Sequence, residues 1–414
     1  MRLGDWLPAI GGAVCLGLGA GLMAVYGFFS EHLAAEFSVG MATINIGPVA
    51  LILVPGLVGP FIGRLADAVP IRRLLLVGAT VSMLALYGIS HSPSLVVAAL
   101  GFLCFALGLS MYGPVVINAM LVKLYPGHEA RVLAFAAMGI SAAAVVLPPL
   151  VGFLLAAMDW RSALASLAVC LATVLWLVIL LAIPANPGAV VARDKRPKAP
   201  VRIYRRPVFW LIGGSVALAF SVLLVLAVSY PAHFTSQGFS VSQAGVFIAL
   251  SGAAGLLGIA TIAALADRLR GQVKLLAVAL MVSQLLGLFL LLSYGDSIGL
   301  WLGLCLLGFG GGGIIPMHPY LNSCYFDPEV IGEVTGAQMP LMLPLGLIGL
   351  PLAGYTFDQW GSFMPVFIGL AFALAMAAVL LLMLPHPNAV TSRIALGCEE
   401  VLEPKLEQAT KTLP

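Results

Sequence analysis

A set of Tyr, Asn and His side chains interrupts the long apolar runs of this 414-residue chain, and their chemistry fits a binding site. Polar groups in an apolar medium are costly unless they meet a partner or a wet cavity. Phenol, amide and imidazole groups can hold a ligand by hydrogen bonds without a fixed charge. The predicted substrate-binding residues are Tyr26, Tyr112, Asn118, Tyr230, His233, His318, Tyr320 and Asn322.

Alternative roles stay open for several of these residues. Because an imidazole titrates near neutral pH, His318 could donate to an anion or couple a proton. It could equally be a neutral ring bonded to a neighbouring carbonyl or hydroxyl. Tyr26 and Tyr230 could be interfacial anchors. Gln284 and Gln338 are expected to form interhelical hydrogen bonds.

The elements that carry these residues are predicted to be membrane-spanning helices. Hydrophobic residues make up 61% of the chain and charged residues 9%, where a soluble domain averages about 25% charged. A helix needs about 20 apolar residues to cross a bilayer. Twelve stretches meet that length: 8–30, 42–63, 74–91, 96–122, 132–157, 162–184, 208–232, 243–265, 275–294, 298–322, 334–356 and 363–384.

The distribution of Lys and Arg predicts the orientation. Every Lys and Arg except Arg161 lies in gaps on one side of the membrane. Because such residues are enriched on the cytoplasmic side, both termini are predicted to be cytoplasmic. The gap after the tenth span departs from the pattern, since it holds Asp327, Glu329 and Glu333 without a base. We expect an integral protein of a bacterial inner membrane, in contact with the lipid bilayer.

The two halves of the chain resemble each other. Leu65-Ala66-Asp67 recurs as Leu265-Ala266-Asp267, and the same offset relates Asn118 to His318. Since both halves begin on the same side, the repeat is parallel, as in secondary transporters. The predicted fold is all-α, with twelve helices in two six-helix bundles related by a pseudo-twofold axis along the membrane normal. The predicted domains are 1–190, a basic linker at 191–206, 207–386 and a tail at 387–414.

This pattern resembles the major facilitator superfamily over nearly the whole chain. The segment from Gly63 to Arg73 (Gly-Arg-Leu-Ala-Asp-Ala-Val-Pro-Ile-Arg-Arg) is similar to the loop signature after that family's second span, with Pro70 in place of a glycine. The resemblance implies that this loop clips the halves together in the outward-facing state; a merely solvated loop is the alternative. The implied gating residues are Gly63, Asp67, Arg72, Arg73, Arg131, Asp267 and Arg268.

Within that superfamily, the chain resembles the monocarboxylate porters, including oxalate–formate-type antiporters. Tyr26-Gly27-Phe28-Phe29 and Asp159-Trp160-Arg161-Ser162-Ala163 are similar to fragments of that group. The resemblance implies that spans 1, 4, 7 and 10 line the central cavity. It also implies an arginine in the eighth span, whereas the corresponding position here is near Ala260. The run Gly310–Gly313 is interpreted either as close helix packing or as a hinge.

Transport is the predicted function. The chain has no phosphate-binding loop and no His-Glu-x-x-His segment, so an enzyme, a cofactor and a metal centre are not expected. Nucleic-acid binding is not expected either, because the net charge of +3 is concentrated on one membrane face. We predict a monomeric transporter of a small organic anion or weak acid, with a co-transported proton left open. The alternative is an exporter of a more apolar or neutral compound.

Overall fold

The computed structural model describes residues 6–39, 46–185, 203–239, 241–293 and 298–386, and within them every regular element is a helix. The predicted tail at 387–414 and most of the predicted linker lie outside these ranges. In chain order the α-helices are α1 Leu7–Glu36, α2 Ile46–Ala68, α3 Ile71–Ser90, α4 Leu95–Tyr112, α5 Pro114–Leu124, α6 Glu129–Ala157, α7 Trp160–Ala182, α8 Pro207–Ser236, α9 Val241–Leu265, α10 Val273–Ser293, α11 Ile298–Tyr325, α12 Ile331–Trp360 and α13 Met364–Leu382.

These helices confirm the prediction of an all-α membrane protein. By length and composition, ten helical stretches of the described residues could cross a membrane, and α1 adds a shorter apolar stretch, Leu7–Leu22. The turn between α8 and α9 has Gly238 in a left-handed conformation, with φ 89°. A residue with a side chain would be strained there, which explains why the long apolar stretch divides at this position.

The fourth predicted span is two helices rather than one continuous helix. α4 ends at Tyr112, Gly113 is extended with ψ −165°, and Pro114 begins α5. A residue before proline is disfavoured in the helical region, and proline fits the first turn of the helix that follows. Leu95–Leu124 is still one stretch long and apolar enough to cross the membrane, as predicted. The break divides it into two helices and places Tyr112 and Asn118 on different elements.

Glycines let the helices of the second half approach each other closely. A Cβ at Gly258 of α9 would meet the Phe309 carbonyl oxygen of α11. The run Gly310–Gly313 makes similar approaches on several sides, which favours close packing over a hinge for this run. Gly310 and Gly313 face Leu280 of α10, Gly311 faces Leu223 of α8, and Gly312 faces Gly255 of α9.

The repeat is visible in how the last helix of each half is held. The Arg72 guanidinium donates to the Leu180 carbonyl oxygen near the end of α7, at 2.6 Å. The Lys274 ammonium donates to the Leu384 carbonyl oxygen after α13, at 3.0 Å. Cations are favourable at helix C-termini, where carbonyl groups lack partners. Arg72 therefore has a structural contact inside its own half.

Replacing Gly258 by Ala should lower the melting temperature of the purified protein in detergent. The added methyl group would overlap the Phe309 carbonyl oxygen, and overpacking costs about 1–3 kcal/mol. Gly252 on the same helix is the matched control, because no described atom lies within 4 Å of its Cβ position. Gly252→Ala should leave the melting temperature unchanged or raise it. Equal melting temperatures for the two variants would contradict this account of the packing.

Candidate functional site

The two halves meet at the end of the molecule that carries Asp67 and Asp267, here called the basic end because most Lys and Arg lie there. At this end α2 of the first half crosses α12 of the second. A Cβ at Gly63 would overlap the Gly332 carbonyl oxygen, and a Cβ at Gly59 would lie 2.8 Å from the Gly336 carbonyl oxygen. Gly63 thus allows the two backbones to touch.

Asp67 joins the first half to the start of α12. Its carboxylate accepts the backbone N–H of Gly332 at 3.2 Å and of Glu333 at 2.6 Å. The Lys123 ammonium, from the same half as Asp67, lies 2.6 Å from this carboxylate. The first N–H groups of a helix have no partner inside the helix, so an anion is favoured there. We call this set of contacts the Asp67 clip.

Asp267 makes the reciprocal contact, which we call the Asp267 clip. Its carboxylate accepts the backbone N–H of Ala130 at 2.9 Å and of Arg131 at 3.1 Å, at the start of α6. Burial raises the pKa of the Asp267 carboxyl above its usual range, although the two N–H donors act in the opposite direction. The residue 200 positions after Lys123 is Ser323. The second clip therefore lacks the lysine that accompanies the first.

An ion pair flanks each clip and also crosses between the halves. Arg64 Nε lies 3.1 Å from Glu333 Oε1, and Arg270 Nη1 lies 3.0 Å from Glu129 Oε2. The sequence interpretation did not include Lys123 or these four residues among the contacts of the predicted gating residues. One signal was present, since Glu333 lies in the gap after the tenth span, where the sequence has acids and no base.

The other predicted gating residues are placed differently. Arg131 meets Asp267 through its backbone, and its side chain is exposed. Arg73 and Arg268 are also exposed. Next to the clips, Ala134 and Ala137 of α6 form a small apolar cluster with Ile259 of α9.

His318 belongs to a buried polar cluster inside the second half. Its Nε2 lies 2.7 Å from Gln338 Oε1. Asn322 Nδ2 donates to the same oxygen at 2.8 Å and to Thr335 Oγ1 at 3.2 Å. Gln338 Nε2 donates to the Phe209 carbonyl oxygen at 3.2 Å. The cluster, called the His318 cluster below, links α8, α11 and α12, and Asn322 Oδ1 has no partner within the described residues.

Two tyrosines of the predicted site have other surroundings. The Tyr320 hydroxyl donates to the Ala266 carbonyl oxygen at 2.8 Å, which points it toward the end of α9. The Tyr112 hydroxyl is buried near Ser82 and has no hydrogen-bond partner within the described residues. Asn118 is partly exposed on α5, where its helix neighbours Ile117 and Ala119 are buried.

The remaining candidates lie among aromatic rings. Tyr26 packs edge-on against Phe102, with ring centroids 5.6 Å apart. Tyr230 stacks on Phe234, and His233 lies 4.9 Å from the ring of Phe367. Of the predicted binding residues, His318 and Asn322 lie in one hydrogen-bonded group within the described part of the chain.

Arg161, the one cation predicted on the opposite side, forms hydrogen bonds and an ion pair within the first half. Its guanidinium donates to the Ser90 and Ser92 carbonyl oxygens at 2.8 and 3.1 Å, and it pairs with Glu36 at 2.9 Å. It thereby ties the ends of α1 and α3 to the start of α7. Among the described residues, no group of three or more His, Cys, Asp or Glu is placed to hold a metal ion.

Comparisons with known proteins point to one superfamily. A family model described as Major Facilitator Superfamily matches residues 10–346. A bacterial homologue of the iron transporter ferroportin, solved in an outward-facing state, is 17% identical with TM-score 0.71, covering 92% of this chain and 99% of that one. The human organic anion transporter MFSD10 (TETRAN) is 18% identical with TM-score 0.63, covering 92% and 97%. These similarities show the fold. No curated protein gives a significant sequence match.

Removing the Asp267 carboxylate should open the basic end. Asp267→Ala deletes both bonds to the start of α6, and losing such a cap costs about 1–2 kcal/mol. That corresponds to a roughly five- to thirtyfold shift toward the open form. The readout is maleimide labelling of an Ala134→Cys reporter, buried in the present structure, in a background without native cysteines. Arg131→Gln is the matched control, because Arg131 contributes only its backbone N–H; equal labelling in both variants would refute the role of the Asp267 clip.

Proposed function

The chain belongs to the Major Facilitator Superfamily and is a membrane transporter, and we propose that it moves a small organic acid, together with a proton, by alternating access. The reciprocal clips carry this proposal. Each carboxylate reaches from one half to a helix start in the other. These bonds break when the basic end opens, so they stabilise one conformation selectively, as a two-state carrier requires.

The closed basic end supports an outward-facing assignment for this conformation. Residues Gly59 and Gly63 pack directly on α12, while Asp67 and Asp267 cap helices of the opposite half. Lys and Arg enrichment at this end supports a cytoplasmic location for it and for both termini. We further propose a bacterial inner membrane as the setting. We propose that a monomer can carry out transport, because one chain contains both halves that alternating access requires.

An organic acid as the substrate is supported by the kind of polar groups in the central helices. Arg161 and Lys123 are engaged in structural contacts, so a permanent cation is not offered to an anion by either. Asn118 and His318 occupy corresponding positions in the two halves and offer amide and imidazole groups instead. The resemblance of Tyr26-Gly27-Phe28-Phe29 to the monocarboxylate porters points in the same direction.

A neutral, more apolar substrate is the second candidate, and one cavity favours it. Inside the first half, a cavity of about 30 Å³ lies between α1, α2, α3, α4 and α7. Tyr26 is its one hydroxyl-bearing lining residue; the walls include Leu22, Phe29, Phe102 and Leu167. Such a cavity would accept a small apolar group rather than a charged one.

Cross-linking the basic end should stop transport reversibly. Arg64→Cys with Glu333→Cys, in a background without native cysteines, replaces an ion pair that crosses the halves. A short bifunctional thiosulfonate reagent should then abolish flux in proteoliposomes, and reduction should restore it. Arg161→Cys with Glu36→Cys is the matched control, because that ion pair lies within the first half. Full flux in the cross-linked Arg64→Cys and Glu333→Cys protein would exclude opening at this end.

Proton-coupled movement of an acid should appear as accumulation driven by a pH gradient. Proteoliposomes are tested with formate, oxalate, lactate, propionate and benzoate, and protein-free liposomes measure the passive flux of each undissociated acid. We expect at least one acid to accumulate on the alkaline side several times faster than in protein-free liposomes. If no acid is moved or competes, while neutral apolar compounds are moved, the second candidate replaces the first.

A further inference from the structure

The hydrogen bonds of the His318 cluster determine which ring nitrogen of His318 carries its proton. The Phe209 carbonyl oxygen can only accept, so the bond to it fixes Gln338 Nε2 as the donor. Gln338 Oε1 therefore faces His318, 2.7 Å from Nε2. An amide oxygen can only accept, so the neutral ring carries its hydrogen on Nε2. Nδ1 is left as the basic nitrogen.

The neutral His318 cluster has little to offer an anion. The amide group of Asn322 already donates to Gln338 and Thr335. The buried atom of this cluster that lacks a partner in the described part of the chain, Asn322 Oδ1, is an acceptor. A carboxylate needs donors, so this cluster in its neutral form would repel one rather than bind it.

The charged form of His318 would lack a counterion in the absence of ligand. The cluster contains no Asp or Glu. Of the carboxylates at nearby helix ends, Glu333 pairs with Arg64, Asp67 pairs with Lys123, and Asp267 caps α6. On α11 itself, the other titratable side chains include Tyr320, which donates to the Ala266 carbonyl oxygen, and Cys324. An unpaired buried charge is strongly unfavourable, so an imidazolium here needs an anion beside it.

We propose that His318 binds the transported proton on Nδ1 and thereby becomes the cation that holds the substrate's carboxylate. This inference rests on the proposed function and locates its proton on the protein rather than on the acid. Neither the proton nor the carboxylate binds well alone, and each raises the affinity of the protein for the other by the same factor. Gln338 is a positioning residue that keeps Nδ1 free. His318 retains 7% exposure, and Asn118 of α5, its counterpart in the sequence repeat, is partly exposed.

Analogues that are strong acids show whether the transported proton is bound by the protein or by the substrate. The probes are benzoate with benzenesulfonate and propionate with ethanesulfonate, added to the purified full chain in weakly buffered detergent at neutral pH. A sulfonate stays ionised, so any proton taken up on its binding must be bound by the protein. We expect about one proton per bound sulfonate and no proton uptake in His318→Gln.

The outcomes of this experiment are distinct. If carboxylates bind with proton uptake while sulfonates neither bind nor compete, the proton travels on the acid and the inference is wrong, although the proposed function stands. Sulfonate binding without proton uptake, or unchanged uptake in His318→Gln, also overturns the inference. If neither kind of anion binds or is transported, the proposed function itself fails.

A second variant addresses the case in which His318→Gln does not fold. Gln338→Glu keeps the shape of the side chain and places a carboxylate beside Nε2 of His318. The ring should then hold its proton without substrate, so anion-linked proton uptake should disappear and benzenesulfonate affinity should fall roughly ten- to a hundredfold. Gln284→Leu is the matched control, because it removes a fully buried amide of the same half that has no hydrogen-bond partner among the described residues. Wild-type coupling in Gln338→Glu would overturn the proposal.

Discussion

The closed end of this molecule depends on carboxylates that cap helices of the opposite half. Asp67 caps α12 and Asp267 caps α6. A helix start offers several unpaired N–H groups and a favourable potential for an anion, whatever its sequence. The glycine crossing at Gly63 matters for the same reason, because Asp67 lies one helical turn further along α2 and reaches α12 only if the backbones touch. Close packing and the electrostatic contact therefore form together.

The two clips are symmetric in geometry but differ in charge balance. The Asp67 carboxylate has an ammonium group beside it, whereas the described contacts of the Asp267 carboxylate are two backbone N–H groups. Burial raises the pKa of the Asp267 carboxyl. A raised pKa means that this conformation holds a proton on Asp267 more tightly than a hydrated form would. Acidification into the range of that pKa therefore favours the closed Asp267 clip.

The fold could be predicted from the sequence further than the site could. The helices could be predicted from the length of the apolar stretches and from the lack of charged residues within them. The repeated Leu-Ala-Asp segment indicates the position of both clips. The partners of these carboxylates could not be predicted, because they are backbone N–H groups. Every residue except proline has one, so the residue type does not reveal which of them will donate. Gln338 forms the interhelical hydrogen bonds expected of it, whereas the Gln284 amide, against expectation, has no partner in the described residues. Burial next to Gly310 leaves it near backbone rather than near a polar side chain.

The charged side chains described above lie at helix ends, and the central helices carry uncharged polar groups instead. This arrangement bears on how the proposed carrier of anions would work. A permanent arginine among the central helices would need a counterion in both the loaded and the empty carrier, because an isolated buried charge is unfavourable in either. An imidazole avoids this requirement, since it is neutral when empty and charged only when an anion compensates it. In the proposal for His318, the Gln338 contact leaves Nδ1 as the nitrogen that binds the proton, and the Phe209 carbonyl oxygen accepts the bond that orients Gln338. In the proposed mechanism the centre of the empty carrier is neutral, and the contacts that stabilise this conformation across the two halves lie at the basic end, at Asp67 and Asp267.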